Sequence, residues 1–383
     1  MKFYFEKGDK GDYKDVLYRL YLELYVAYRQ ARAGKRLTPD EMKIELDIAA
    51  EIMRLAEDLL NKTYEPARGT AHVIFYPVMR EIFAATFRDR VVHHWIYNNI
   101  YDWWDRRFIY DSYSCREGKG TLFGISRLEH HILSVSENYQ KPDTYVIKMD
   151  IEGYFMHLPR KELYKRVVWG LDRQFEDHFG WRYEILKFAI RQVIFDDPCK
   201  GVTLKGWPED WEKLPPSKSL LAQEPDIGIV IGNLTSQMFS NIYLDLLDKY
   251  VTRELGYKHY GRYVDDFYIV VRKSELKKAL KDVERIKNFL ISMKLNMHPK
   301  KFGVYLIRYG VPFLGARVYP WHISPGKRLR SHYREAVRAV AMGEKSVESI
   351  ESYVGHMKYF NAHNAIWDVF EELALDDYLA RNQ

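Results

Sequence analysis

Two stretches decide how this chain reads: Tyr145-Val146-Ile147-Lys148-Met149-Asp150 and Arg262-Tyr263-Val264-Asp265-Asp266-Phe267-Tyr268-Ile269-Val270-Val271. The first is a short apolar strand with a carboxylate at its C-terminal end. The second is a β-rich apolar run interrupted by two adjacent aspartates, the pattern of a hairpin that turns at its acids. Two unit charges about 4 Å apart repel by about 4 kcal/mol at an effective dielectric of 20. Without cations, one such carboxylate tends to take up a proton. An isolated Asp-Asp pair is ordinarily a polar turn. Apolar strands around it and a second strand-end acid point instead to divalent metal. Two Mg²⁺ ions about 3.5–4 Å apart can activate an attacking hydroxyl and stabilise the leaving oxygen of an in-line displacement. Mg²⁺ also suits a site of few carboxylates completed by substrate phosphates.

Around these strands the pattern is mostly helical. Val16, Leu17, Leu20, Leu24 and Ala27 recur at helical spacing over 12–33, and Gly34 stops them. Thr38-Pro39-Asp40-Glu41 carries the signals of a capped helix start, with that helix expected to run to about Asn61. Residues 63–87 read as short strands and loops, 89–107 and 121–139 as helices, and 161–194 as mostly helical. The proline-rich stretch 197–228 reads as a long surface connection. Helix is expected again over 233–255, a hairpin over 259–271, a basic helix over 274–293, strands over 302–321, and helix in the last 45 or so residues.

The chain has 383 residues, 47% of them hydrophobic, enough for a sizeable core. Its two cysteines, Cys115 and Cys199, build neither a disulfide framework nor a C-x-x-C metal or redox pair. The N-terminus lacks the apolar core of a signal peptide, and no apolar run approaches the roughly 18 residues of a membrane span. The expectation is a soluble, cytoplasmic protein with no membrane partner. The net charge of +6 is a weak clue, but its distribution is not. From Arg285 to Arg334 there is no acid, while Arg285, Lys287, Lys294, Lys300, Lys301, Arg308, Arg317, Lys327, Arg328, Arg330 and Arg334 all fall within it. A polyanion-facing surface is the reading that fits, with nucleic acid as the partner.

Tyr263-Val264-Asp265-Asp266 resembles the Y-x-D-D signature of reverse transcriptases, and Asp150 followed by Phe155 resembles their first palm motif. Further blocks follow the family's order: Met79-Arg80-Glu81-Ile82, Phe87 to His94, Ser112 to Gly120, Ile231 to Gln237, Leu295 to Lys301, and Pro312-Phe313-Leu314-Gly315. Most reverse transcriptases carry Q-G-x-x-x-S-P where this chain has Ile231-Gly232-Asn233-Leu234-Thr235-Ser236-Gln237. That I-G-x-x-x-S-Q form is similar to the enzymes of diversity-generating retroelements, as are Pro215 to Leu220 and Arg116 to Thr121.

The resemblance implies an α+β right-hand polymerase fold with fingers, a palm built on an antiparallel sheet, and a short helical thumb. It places a helical extension at 1–62, fingers at 63–143, palm at 144–320 with an insertion at about 161–228, and thumb at 321–383. It implies two Mg²⁺ ions, replaceable by Mn²⁺, on Asp150, Asp265 and Asp266, with the first two binding most directly. Phe155 would pack under the incoming sugar and exclude a 2′-hydroxyl. Arg80 would hold the triphosphate through its fork of donors, with Arg88 and Arg90 as weaker candidates and an acid partner the alternative for Arg90. Lys301 or Lys300 would neutralise the leaving pyrophosphate, and spacing does not choose between them. Gly232 would allow close backbone approach to the nascent base pair.

Ile231 and Gln237 depart from the commoner glutamine and proline, and the subgroup's errors opposite template adenines make loosened geometric checking the expectation. Arg308, Arg317, Lys327, Arg328, Arg330 and Arg334 would track the primer–template backbone. The resemblance further implies dNTPs, a template RNA, the cDNA or primer strand and a small basic accessory protein as partners, in a bacterial, archaeal or phage-encoded system. About 68 residues follow Gly315, room for a thumb without an added nuclease. The other readings are a group II intron, retron or phage-defence reverse transcriptase, or an RNA-binding maturase or scaffold. His93-His94 and His130-His131 lack metal-site spacing and read as packing or RNA-contacting residues. Trp95 to Phe108 reads as a buried helix more than a base-stacking platform.

Overall fold

A computed structural model describes residues 12–34, 39–75, 79–175 and 180–360, with Ala362, Ile366, Trp367 and Val369 beyond them. The chain begins with helices α1 (Tyr13–Arg32), α2 (Pro39–Glu45) and α3 (Ile48–Leu60) and the hairpin β1 (Thr70–Ile74) and β2 (Arg80–Ala84). Next come α4 (Phe87–Asp105), α5 (Thr121–Val135), β3 (Thr144–Asp150), α6 (Tyr154–His157), α7 (Arg160–Gln174) and α8 (Trp181–Phe195). The connection that follows holds β4 (Thr203–Lys205) and α9 (Pro208–Glu212), and leads to α10 (Leu234–Lys249). After it come β5 (Tyr260–Tyr263), β6 (Asp266–Arg272), α11 (Lys273–Ser292), β7 (Gly303–Leu306), β8 (Val311–Phe313), β9 (Ala316–Tyr319), β10 (His322–Pro325), α12 (Lys327–Ala341) and α13 (Glu348–Met357). The fold is mixed α/β, and no helix among the described residues is long and apolar enough to cross a membrane.

The chain divides into two compact units. The first draws on residues 1–109, 151–250 and 288–297. There α1 buries Val16, Leu20, Leu24, Ala27 and Ala31 along one face and packs on α3 and α4. Thr86 caps α4 by accepting the Asp89 N–H, and the helix buries Trp95, Trp103 and Trp104. The aromatic stretch from Trp95 is thus a buried helix. α7 packs on α4, α8 and α10, and its Gly170 lies against the Trp104 indole. β1 pairs antiparallel with β2 and parallel with β4, which closes a three-stranded sheet.

The second unit draws on residues 110–150, 251–287 and 298–383. Its four-stranded sheet has the order β5-β6-β3-β7, with every neighbour antiparallel. A separate three-stranded sheet has the order β10-β9-β8. Val146, Tyr268 and Val270 from the first sheet share a core with Leu128 and Ile132 of α5, Phe313 and Val318 of the second sheet, and Tyr333 and Val337 of α12.

Several elements depart from the sequence expectation. The helix expected from Thr38 to Asn61 is two helices, because Asp47 turns its carboxylate back to accept the Ala50 N–H at 3.3 Å and so starts α3. Thr38 itself lies outside the described residues. α5 stops at Val135, after which Glu137, Asn138 and Tyr139 all take positive φ. α10 gives way at Tyr250 to a π-helical turn. β10 lies where helix was expected, paired to β9 across Pro320-Trp321 with Trp321 at φ +64°. Pro320 presets the first central position of that turn, but Trp321 is not a residue that marks one, so the sequence announces the hairpin only in part. Within the last 45 or so residues, expected to be helical, the described part holds the end of α12 and the whole of α13, and most residues after Phe360 lie outside the described ones.

A Cβ at Gly170 would sit 2.2 Å from the Trp104 ring. Gly170→Ala sets a helix-propensity gain of about 1 kcal/mol against an overpacking cost of about 1–3 kcal/mol. With both partners rigid, the cost prevails, and urea melts should show a less stable protein.

Candidate active site

In the second unit, β3 and β6 pair in a register that sets Asp150 directly opposite Asp266. Tyr263 and Asp266 are the last paired residues of the β5–β6 hairpin, so Val264 and Asp265 form its two-residue tip. The three acids therefore gather at one end of the sheet. Asp150 is only 7% exposed, and Lys301 Nζ lies 2.9 Å from both of its carboxylate oxygens. Asp266 is held by Lys148 Nζ at 3.2 Å. Burial, and next the charge of Asp150, push the Asp265 carboxyl up to about 6. Asp266 is also raised, mainly by burial. Among the described residues no three His, Cys, Asp or Glu side chains are gathered to enclose a metal ion; the two lysines hold Asp150 and Asp266.

The tip is built under constraint. Val264 has φ +53°, a left-handed conformation that a β-branched residue rarely adopts. Residues 111–114 hold it there. The Val264 N–H donates to Ser114 Oγ at 3.1 Å. The fully buried Arg262 guanidinium donates to the Val264 carbonyl at 3.1 Å and to Ser112 Oγ at 3.2 Å. Backbone bonds at 2.9 Å from Arg262 N to Asp111 O and from Tyr113 N to Arg262 O lock the same segment to β5. Behind it the Tyr113 and Tyr268 hydroxyls meet at 2.9 Å, and His131 Nδ1 lies 3.1 Å from the Tyr268 hydroxyl. Burial pushes the Asp111 carboxyl up, but hydrogen bonds to His131 and Arg127 outweigh it and bring the group down to about 2.

The sequence reading missed Lys148, Arg262, the serines and this polar cluster. Lys148 was readable, since strand alternation puts it on the face of Asp150. So was Arg262, a lone charge in an apolar strand. The pairing of residues 111–114 with β5 spans about 150 positions and leaves no local trace.

The nucleotide-site candidates belong to the first unit. Phe155 and Ile231 join one apolar cluster with Ala71, Phe83, Met156 and Leu220. Gly232, at φ +123°, backs onto β2, where a Cβ would lie 2.9 Å from the Phe83 carbonyl. The close approach the structure gives this glycine is to the β1–β2 hairpin. Gln237 lies in the first turn of α10 and its N–H bonds Asn233 O at 3.3 Å. Arg80 opens β2, half-buried and in register with Ile74. Its neighbour Glu81 is fully buried and accepts hydrogen bonds from Ser219 Oγ at 2.7 Å and from the Leu220 N–H. Arg88 pairs with Asp58 and lies over the Tyr64 ring, and Arg90 pairs with Glu41. His93 is buried with Thr235 Oγ1 at 2.8 Å, and burial brings its imidazole down to about 3, so it packs as a neutral ring.

Of the acid-free run, Arg285, Lys287, Lys294 and Lys301 pair with Asp282, Glu284, Glu162 and Asp150, acids from outside it. Lys300 is exposed. Arg308 lies on the Tyr309 ring, and Arg317 donates to the Tyr309 carbonyl at 2.8 Å. Lys327, Arg328, Arg330 and Arg334 are exposed along α12.

A cleft of about 700 Å³ in the first unit is lined by, among others, Asp89, Arg160, Arg191, Asp196 and Asn233. Asp196 ends α8 at the negative pole of the helix dipole. Burial, and next the charge of Asp89, push its carboxyl up to about 6.

No family model and no characterised protein matches this chain in sequence. Among solved structures it is similar to telomerase from Candida albicans in complex with a TWJ fragment of telomeric RNA, at 13% identity and a TM-score of 0.46. The match covers 84% of this chain and 58% of that one, so the chain spans somewhat over half the length of that protein.

A carboxyl whose folded pKa lies above its unfolded value weakens the fold as pH rises, with no cost below about pH 4 and the full cost above about pH 6. Asp196→Asn removes this cost. Urea unfolding should find the variant more stable than the parent at pH 8, by about 1–3 kcal/mol, and equal to it at pH 4.

Proposed function

We propose that this chain is an RNA-templated DNA polymerase, a reverse transcriptase of the diversity-generating retroelement type. The observation that carries the reading is the in-register pairing of Asp150 with Asp266, with Asp265 on the hairpin tip and Lys301 on Asp150. The donor set is one of carboxylate oxygens at two strand ends and a hairpin tip, and burial, and next the charge of Asp150, raise Asp265. That chemistry fits a hard divalent cation. Asp150 and Asp265 would hold Mg²⁺ or Mn²⁺ with Asp266 beside them, and the metal would supply Lewis-acid activation of the primer hydroxyl and of the phosphoryl group.

The chain's own residues account for the rest of the reading. The sheet β5-β6-β3-β7 serves as the palm, with fingers over 63–143 and thumb over 321–383. The Arg262 clamp and the strained Val264 fix where the Asp265 carboxylate stands, and such stored strain is usual where geometry must be held. Lys301 is 55% exposed on its side chain, so it can leave Asp150 without opening the core and meet the departing pyrophosphate as a compact positive charge. Phe155 packs under the sugar and Arg80 engages the triphosphate. Template RNA, primer and dNTPs are the partners, with a small basic accessory protein.

Incorporation of dNTPs on an RNA template with a DNA primer and Mg²⁺ should be readily measured and should fall to background in Asp265→Asn, with far-UV circular dichroism unchanged. Incorporation that persists in the folded variant would refute the assignment. Absence of incorporation in the parent, with RNA still bound, would favour the scaffold reading.

The subgroup rests on Ile231 and Gln237. An isoleucine side chain offers no hydrogen bond, and Ile231 sits in an apolar cluster, so geometric checking at that place is loosened. Sequenced cDNA should show frequent errors opposite template adenines, reduced in Ile231→Gln. Equal and low error in both proteins would sink the diversity-generating assignment and leave the polymerase.

A further inference from the structure

The sheet β10-β9-β8 buries Ala316 and Val318 in the core, so strand alternation turns Arg317 and Tyr319 to the opposite face. That face is unlike an ordinary solvated surface. Tyr319 and His322, directly opposite in register, stack with ring centroids 4.6 Å apart and planes within 8°. The Tyr319 ring lies over Gly310, where a Cβ would meet it at 2.5 Å, so only glycine lets the ring lie there. The Arg317 stem covers the same glycine, and its guanidinium donates to the Tyr309 and Gly310 carbonyls. Tyr309 is 62% exposed and carries Arg308 over its ring at 4.7 Å. At the hairpin end Trp321 is 77% exposed, tilted against Tyr139.

Single exposed aromatics are common and need no explanation. Here they sit together, interleaved with two arginines, in a segment with no Asp or Glu from 286 to 334. Among the described residues neither Arg308 nor Arg317 is paired with a carboxylate, whereas Arg285, Lys287, Lys294 and Lys301 all are. Flat rings answer unstacked bases, and guanidinium groups answer phosphates and ring faces alike. A duplex keeps its bases stacked on one another and offers such rings nothing.

We propose that the outer face of this sheet, formed by Arg308, Tyr309, Arg317, Tyr319 and His322 with Trp321 at its hairpin end, is a binding platform for single-stranded nucleic acid, separate from the carboxylate site. It holds the strand by stacking and charge without reading its sequence. This inference does not depend on the polymerase reading, because binding to the face needs no catalysis.

The test is binding of a fluorescent twelve-nucleotide polyuridine RNA to full-length Asp265→Asn protein, followed by anisotropy at several salt concentrations. Tyr309→Ala/Trp321→Ala should weaken binding about 10- to 100-fold with an unchanged salt slope. Arg308→Ala should flatten the slope of log K against log salt by about 0.7. A blunt RNA duplex of equal length should be bound equally by the parent and the aromatic variant. Tyr309 is exposed and Trp321 also packs on Tyr139, so Tyr309→Ala alone should weaken binding in the same direction with a thermal melt that matches the parent. Tyr18→Ala, at a similarly exposed tyrosine on α1, should leave binding intact. The proposal is overturned if the parent does not bind the single strand, if the aromatic variant binds as the parent does, if it loses duplex and single strand alike, or if Tyr18→Ala is equally harmful.

Discussion

Asp150, Asp265 and Asp266 repel one another, and the second unit is arranged around holding them together regardless. The register of β3 on β6 sets Asp150 opposite Asp266, and a slip of one residue would turn Asp150 and Lys148 to the face where the fully buried Ile147 and Met149 pack. Apolar packing on both sides of the strand thus fixes where the charges go. Lys148 and Lys301 then offset part of the repulsion at Asp266 and Asp150, while burial, and next the charge of Asp150, push Asp265 up to about 6. Energy of this kind persists only where the surrounding structure over-determines the geometry. The buried Arg262, the two serines that receive its segment, and the Tyr113–Tyr268–His131–Asp111 cluster behind them provide that.

A comparable constraint organises the first unit. Glu81 is a fully buried carboxylate, a costly thing to place in a core, and it is satisfied by Ser219 and the Leu220 backbone, which lie about 138 positions away. The proline-rich connection is therefore tied down at its far end onto β2. Gly232 presses against the same strand from the start of α10, and Phe155 and Ile231 fill the apolar space beside it. Arg80 is the residue before Glu81, so whatever fixes Glu81 fixes the strand that presents Arg80.

These two constraints explain what the sequence could show. Strands flanking acids, the helix expected over 89–107 and the hairpin at 259–271 are local signals, and each was legible because its residues interact within a few positions. Asp47 was misjudged, since a helix interrupted by its own N-cap looks continuous to an apolar periodicity. Arg262 on Ser112, Glu81 on Ser219 and Lys301 on Asp150 are pairings across roughly 140–150 positions. The motif blocks mark the ends of such contacts without saying which end meets which. The β9–β10 hairpin was legible only in part: Pro320 favours a turn, while the positive φ falls on Trp321, which does not announce one and packs on Tyr139.

The acid-free run gains a different meaning once its charges are located. Arg285, Lys287, Lys294 and Lys301 are consumed by acids that lie before the run in sequence, so a count along the chain overstates the polyanion surface. Arg308 and Arg317 lie on the outer face of the β10-β9-β8 sheet, and Lys327, Arg328, Arg330 and Arg334 stand exposed along α12. The two differ in kind. The α12 face has charge on a regular helical spacing and suits phosphates in any strand. The sheet face joins charge to flat rings and suits only a strand whose bases are free.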